Sequence, residues 1–175
     1  MTLDVVPVAV TGVWWRHVPS GGDPAFRRDP PASGRWQRGD VVAALYLAGD
    51  PETCWAEWYR RLAEDGVEPL DALPRDLWRY EVMLERVAVL DSVESLRRVG
   101  LAAPSPTRTE WPAFQAVGAQ LWAEGYSGVL CASAARPNGR TLCVFRPGGA
   151  LPGSSPLPPP ERRSEPPTPP RGLRT

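Results

Sequence analysis

Apolar residues fall into short blocks whose period changes along the chain, and the changes mark the elements. Residues 5–15 are dense in Val and Trp and predict a strand ending at Arg16 and His17. Residues 19–40 are rich in Gly, Pro, Asp and Arg and predict a loop. Connections in compact domains usually take about 4–6 residues, so a loop this long points to a functional role. Residues 41–48 are a nearly continuous apolar run, the pattern of a buried strand. Asp50-Pro51 supplies an N-cap and a first-turn proline, so a helix runs from there to about Asp65, where Gly66 stops it. Trp78, Tyr80, Val82 and Leu84 alternate with less buried types and predict a strand. Asp91 or Ser92 caps a short helix to about Val99. Thr109 caps another, whose Phe114, Val117, Leu121 and Trp122 share one face and which Gly125 ends. Short strands at 126–132 and 141–145 flank the turn Pro137-Asn138-Gly139. The order is mixed, with no regular βαβ repeat, so the fold class is α+β with a mixed, curved or split sheet.

The pattern stops at residue 150. Residues 151–175 hold nine prolines, with only Leu151, Leu157 and Leu173 apolar. Such a composition predicts a domain over 1–150 and a disordered Pro-rich tail over 151–175. The charge balance is even: 20 basic residues, all arginine, against 20 acidic ones. A duplex-binding surface usually shows a basic excess, so nucleic acid is not an expected partner. No run approaches the roughly 18 apolar residues of a membrane span. The first dozen residues carry Asp4 and no basic cluster, unlike a secretory signal. The expectation is a cytoplasmic protein. Cys54, Cys131 and Cys143 form an odd set without a Cys-x-x-Cys pair, and His17 is the only histidine. A disulfide framework, a zinc site and an HExxH centre are therefore not expected.

Candidate chemistry falls mostly at element ends, where scaffolds present loops. Arg16 closes the first strand, Arg35 ends the long loop, Tyr46 interrupts an apolar strand, Glu57 lies in the first helix and Ser133 follows a strand. Periodicity alone makes these residues ordinary. On a helical wheel Glu57 falls opposite Trp55, Trp58, Tyr59 and Leu62, as a solvated glutamate would. Arg16 and Arg35 read as surface arginines, Tyr46 as a core tyrosine and Ser133 as a turn serine. A triad of Ser133, His17 and an aspartate lacks the Gly-x-Ser-x-Gly surround.

Order and surroundings change that reading. Trp15-Arg16-His17 is followed by Ser33-Gly34-Arg35-Trp36-Gln37. Then comes Ala44-Leu45-Tyr46-Leu47-Ala48, running into Asp50-Pro51-Glu52-Thr53-Cys54-Trp55-Ala56-Glu57. Last is Gly125-Tyr126-Ser127-Gly128-Val129-Leu130-Cys131-Ala132-Ser133. Together these resemble the RES domain family over about residues 10–147, with His17 where many members carry tyrosine and Gln37 where asparagine is common. The resemblance implies a fold like that of ADP-ribosylating toxins and an NAD-consuming toxin, inhibited by a cognate Xre-like protein antitoxin. It implies that Glu57, Arg35 and Ser133 are catalytic. It further implies that Arg16, His17, Arg35, Tyr46 and Ser133 bind NAD, with no metal and with water or inorganic phosphate as acceptor. ADP-ribosylation of a protein target and NAD binding without turnover are the alternatives that this likeness allows.

Overall fold

The computed structural model describes residues 3–175. Its frame is six strands: β1 (Pro7–Pro19), β2 (Ala43–Ala48), β3 (Arg75–Leu90), β4 (Gly128–Ala132), β5 (Arg140–Arg146) and β6 (Ser154–Arg163). Three helices join them: α1 (Pro51–Asp65), α2 (Val93–Arg98) and α3 (Trp111–Ala123). The strand order is β1-β2-β5-β4-β3-β6, and an additional β1–β3 pairing brings the first five into a ring. Only β3–β4 is parallel; the other pairings are antiparallel. The mixed, curved sheet expected from the sequence is therefore present.

Alternation along the strands sorts the core into an inside and an outside. Val10 and Trp14 from β1, Leu45 and Leu47 from β2, and Tyr80 and Val82 from β3 meet inside the ring. The opposite face carries the helices. There Trp55, Trp58 and Leu62 of α1 pack on Ala48 and Leu77, while Phe114 and Leu121 of α3 pack with Trp36, Ala88 and Cys143. The residues described below lie where α1, the 104–110 segment and the end of β4 meet.

The ring has a weak seam. β1 runs along β3 from Pro7 to Pro19 but meets β2 only at Trp15↔Ala48. Arg16 spans this seam, its Nη1 donating to the Tyr46 carbonyl at 3.3 Å. A side chain thus supplies a bond that the diverging backbones cannot make.

Helix ends follow their sequence signals, with one exception. Asp50 accepts from the Thr53 amide at 2.7 Å, and Gly66 ends α1 with φ 66°. Ser92 and Ser95 form a reciprocal capping box on α2. Thr109 does not cap α3; the N-cap position falls to Glu110, whose side chain makes no capping bond. Its carboxylate is used elsewhere, as shown below.

The tail differs most from expectation. Residues 154–163 are not disordered but form β6, antiparallel to β3 from Arg75↔Arg163 to Val82↔Ser154. Proline lacks a donor but keeps its carbonyl, and an edge strand tolerates it because one side faces solvent. β4 covers β3 only over 87–90. The stretch of β3 before it would otherwise leave unpaired amides, and the extended Pro-rich chain fills that edge. The register shifts between Leu77 and Arg79, opposite the run of three prolines. Beyond β6 the chain crosses α1, where Tyr59 Oη donates to the Pro167 carbonyl at 2.5 Å. It ends against the loop after β4, the Arg174 amide donating to the Ala135 carbonyl at 2.8 Å. Removing residues 154–175 should expose the β3 edge. The expected result is a lower urea midpoint and concentration-dependent light scattering, both absent from the full chain.

Candidate active site

At the centre of the candidate site is a carboxylate held from two sides. Glu57 Oε1 accepts from Ser133 Oγ at 2.7 Å, and Glu57 Oε2 pairs with Arg60 Nε at 2.9 Å. Arg60 lies one turn further along α1, the spacing at which helix side chains meet. Glu57 is therefore not a solvated glutamate. The polar face of α1 is covered by the end of β4 and by segment 104–110, whose Pro106 carbonyl accepts from Arg60 Nη1 at 3.0 Å.

Ser133 is buried, and its hydroxyl is fully used. Besides donating to Glu57, it accepts from the amides of Ala135 and Arg136, each at 3.1 Å. Its own amide donates to the Gly139 carbonyl at 2.8 Å. Gly139 has to be small, since a Cβ there would meet Thr53 Oγ1 at 2.6 Å. Arg136 ties this turn to the start of α1, pairing with Asp50 and Glu52 and bonding Thr53 Oγ1 at 3.0 Å. Arg174 Nη2 adds a bond to the Ser133 carbonyl at 3.1 Å. These ties fix the distance between a helix and a strand end that are 76 positions apart in sequence.

Arg35 comes from the long loop, and α3 and β2 hold it in place. Its guanidinium lies over the Phe114 ring at 5.2 Å, pairs with Glu110, and donates from Nη2 to the Ser105 carbonyl at 2.6 Å. Gln115 Nε2 donates to the Gly34 carbonyl at 2.8 Å. Behind the loop, Tyr46 Oη donates to Gln37 Oε1 at 2.7 Å and accepts from the Trp36 amide at 3.0 Å. Burial raises the Tyr46 pKa well above the usual phenol value, so the hydroxyl stays protonated as a clamp. Close approach explains two glycines. A Cβ at Gly34 would fall 2.5 Å from Tyr46 Oη, and one at Gly118 only 1.7 Å from the Trp36 carbonyl.

The predicted set thus divides. Glu57 and Ser133 touch. Arg35 is linked to Arg60 through the 104–110 segment, and Tyr46 braces the Arg35 loop. Arg16 and His17 make separate contacts from β1. Arg16 alternates with Trp15 and His17, falls on the side of Trp14, and serves the β1–β2 seam. His17 stacks on Trp55 with centroids 5.3 Å apart, and its Nδ1 accepts from Arg75 Nε at 2.8 Å. With the Ser133 hydroxyl donated to Glu57 and His17 against Trp55, no serine triad exists here. Burial pushes the thiols of Cys54, Cys131 and Cys143 up to about 12, which removes them as thiolate nucleophiles. Reading by motif missed Arg60, Arg136 and Glu110. The spacing of Glu57, Arg60 and Glu64 on one helix was the available signal for Arg60. The other two depend on tertiary contacts.

Residues 13–161 match the RES domain family. The chain belongs to the RES domain family. Its sequence is 30% identical over 137 residues to the Mycobacterium tuberculosis protein named Probable NAD(+) phosphorylase Rv3189, covering 77% of this chain. The chain spans 64% of the length of that relative. The fold matches a chain in the crystal structure of the M. tuberculosis MbcT–MbcA toxin–antitoxin complex, with TM-score 0.67, 25% identity and 86% coverage of both chains. The family match, over residues 13–161, includes most of β6, so this RES domain continues past residue 150. Among the described residues no helix is long and apolar enough to cross a membrane.

His17 is the only histidine of this RES domain, so its titration can be isolated. Burial, with the cations of Arg75 and Arg16 adding to it, holds its pKa well below the ordinary value. The unfolded chain then binds a proton that the folded chain refuses. The stability at stake is intact above about pH 6.5 and is lost as pH falls below it toward the depressed folded value. Urea unfolding between pH 7.5 and 5.5 should show a slope approaching about 1.4 kcal/mol per pH unit. His17→Gln, which keeps an acceptor for Arg75, should flatten it.

Proposed function

We propose that the chain consumes NAD by breaking the bond between nicotinamide and ribose, and that it acts in the cytoplasm as the toxin of a toxin–antitoxin pair. Family membership and the relative named as an NAD(+) phosphorylase support the substrate and favour inorganic phosphate over water as acceptor. The likeness to a chain of a toxin–antitoxin complex supports a cognate protein inhibitor, expected to be Xre-like. The observation that carries the reading is the carboxylate of Glu57, oriented by Ser133 on one oxygen and by Arg60 on the other.

The chemistry suits that arrangement. As the C1″–N bond breaks, nicotinamide leaves with the bonding pair and the ribose becomes cationic. Glu57 is a fixed negative charge on which that cation can lean, and its orientation costs nothing at the moment of reaction. A phosphate or water oxygen then forms the new bond to C1″, giving ADP-ribose 1″-phosphate or ADP-ribose, and water loses a proton as it adds. Ser133 acts by positioning Glu57. Arg35 is the donor for the diphosphate, since its planar fork matches phosphate oxygens. Tyr46 and Gln37 keep that fork in place. Arg16 and His17 contribute through the scaffold.

Glu57→Gln keeps the shape and removes the charge, so its effect should fall on the transition state. Nicotinamide release should drop about 10²–10³-fold while NAD affinity changes little. Turnover within a few-fold of wild type would return Glu57 to a structural role. Chromatography of the products with and without phosphate separates the acceptors: ADP-ribose 1″-phosphate is expected with phosphate present. Label transferred to protein would instead mark a transferase. Expression without an inhibitor in a bacterial cytosol should arrest growth, and Glu57→Gln should relieve the arrest.

A further inference from the structure

The diphosphate-binding fork proposed above is already filled. Arg35 Nη1 pairs with Glu110 and Nη2 donates to the Ser105 carbonyl, while Phe114 covers one face of the guanidinium. The Arg35 side chain is only 10% exposed, so without a counter-charge it would be a nearly buried unpaired cation. Glu110 supplies that charge from an unusual place. It stands at the N-cap of the 13-residue α3 yet makes no capping bond. The same Oε1 that meets Arg35 also accepts from the Ser105 amide at 2.6 Å, so the carboxylate closes segment 104–110 on itself.

That segment touches Arg35, Arg60, Glu64 and Asp65. Its Ser105 carbonyl is on Arg35, its Pro106 carbonyl on Arg60, and its Arg108 on Glu64 at 2.8 Å and Asp65 at 3.1 Å. It contains neither helix nor strand. Surface hollows elsewhere, such as the one of about 470 Å³ beside Trp15 and Arg79, do not reach Glu57.

We infer that segment 104–110 is a latch closed over the site, in which Glu110 occupies Arg35 as an internal stand-in for the substrate's diphosphate. This rests on the reading that Arg35 holds the diphosphate. Binding is then an exchange. Two phosphate oxygens take the fork that one carboxylate and one carbonyl now share, and the Ser105 carbonyl lets go. The released Glu110 stays at the start of α3, where the free amides of the first turn favour a negative charge. The rest of the segment swings away from Arg60, clearing Glu57 for the ribose. Apparent affinity is then the affinity of the open form multiplied by the fraction of time that the latch is open.

The test uses ADP-ribose as a non-reacting diphosphate ligand, with the full chain. Glu110→Gln weakens the closed state, so the dissociation constant for ADP-ribose and the KM for NAD should both fall, by about three- to tenfold. In wild type, ADP-ribose should speed tryptic cleavage after Arg108 while cleavage after the exposed Arg98 keeps its rate. That arm needs no variant to fold. Unchanged or weaker binding in Glu110→Gln, or protection of Arg108 by ADP-ribose, overturns the latch. If Arg35→Ala still weakens binding at least tenfold, the NAD reading survives that failure. If Arg35→Ala binds ADP-ribose as wild type does, both the latch and the assignment of Arg35 are overturned.

Discussion

A carboxylate on the inner side of a helix has to be satisfied, and the architecture around α1 follows from how this is done for Glu57. One oxygen takes the Ser133 hydroxyl and the other takes Arg60. A hydrogen bond tolerates only a few tenths of an ångström of slack. The end of β4 and the middle of α1 must therefore keep a fixed separation. The turn after β4 is accordingly fastened to the first turn of α1 through Arg136, and the chain's last residues fasten it again through Arg174. The aromatic side of α1 fixes the helix from the other direction, with Trp55 and Trp58 on the sheet and on His17. The tail that sequence composition sets apart thus belongs to the support of the central carboxylate.

Much of this is legible in the sequence. Period and capping residues place α1 and α2 closely, because Asp50-Pro51, Gly66 and Ser92 act through local backbone bonds. The same local logic fails at α3. Thr109 has the right chemistry for a cap, but the helix starts two residues later, and the residue at the N-cap spends its side chain on Arg35. The tail fails for a related reason. Composition measures whether a segment can fold by itself, whereas β6 needs only an edge to lie on. That edge exists because β4 is short, a fact of tertiary pairing.

The candidate site was legible as a set of residue types and not as an arrangement. Motif order brings out Arg16, His17, Arg35, Tyr46, Glu57 and Ser133 together, and it cannot separate residues that face substrate from residues that hold those residues still. Strand alternation makes that separation. Arg16 and His17 are neighbours that point to opposite sides of β1, so they could not both face one pocket. Each found a structural use: Arg16 at the ring's open seam, His17 between Arg75 and Trp55. Tyr46 lies with the pocket residues, but its hydroxyl is turned to Gln37 and the Trp36 amide. Glutamine at 37 is long enough to bond the Ala32 carbonyl at 2.8 Å with its other end, which ties the loop before Arg35 to the loop's own base.

What remains is a site in which Glu57, Arg35 and Arg108 each have a counter-charge within the chain. Glu57 has Arg60, Arg35 has Glu110, and Arg108 has Glu64 and Asp65. The alternative, a preformed pocket with bare arginines, would leave guanidinium groups half-buried and unpaired in the absence of ligand, at a cost of several kcal/mol for the least exposed. Internal acids avoid this cost and set a threshold at the same time. A ligand with one weak negative charge gains little by displacing a carboxylate already in place. A diphosphate offers more acceptor oxygens in the fork geometry and replaces both the Glu110 oxygen and the Ser105 carbonyl. The chain's overall neutrality is consistent with this economy. The discrimination comes from which acceptor fits the fork of Arg35, a short-range geometric property, and owes little to a long-range basic field that would draw in any polyanion.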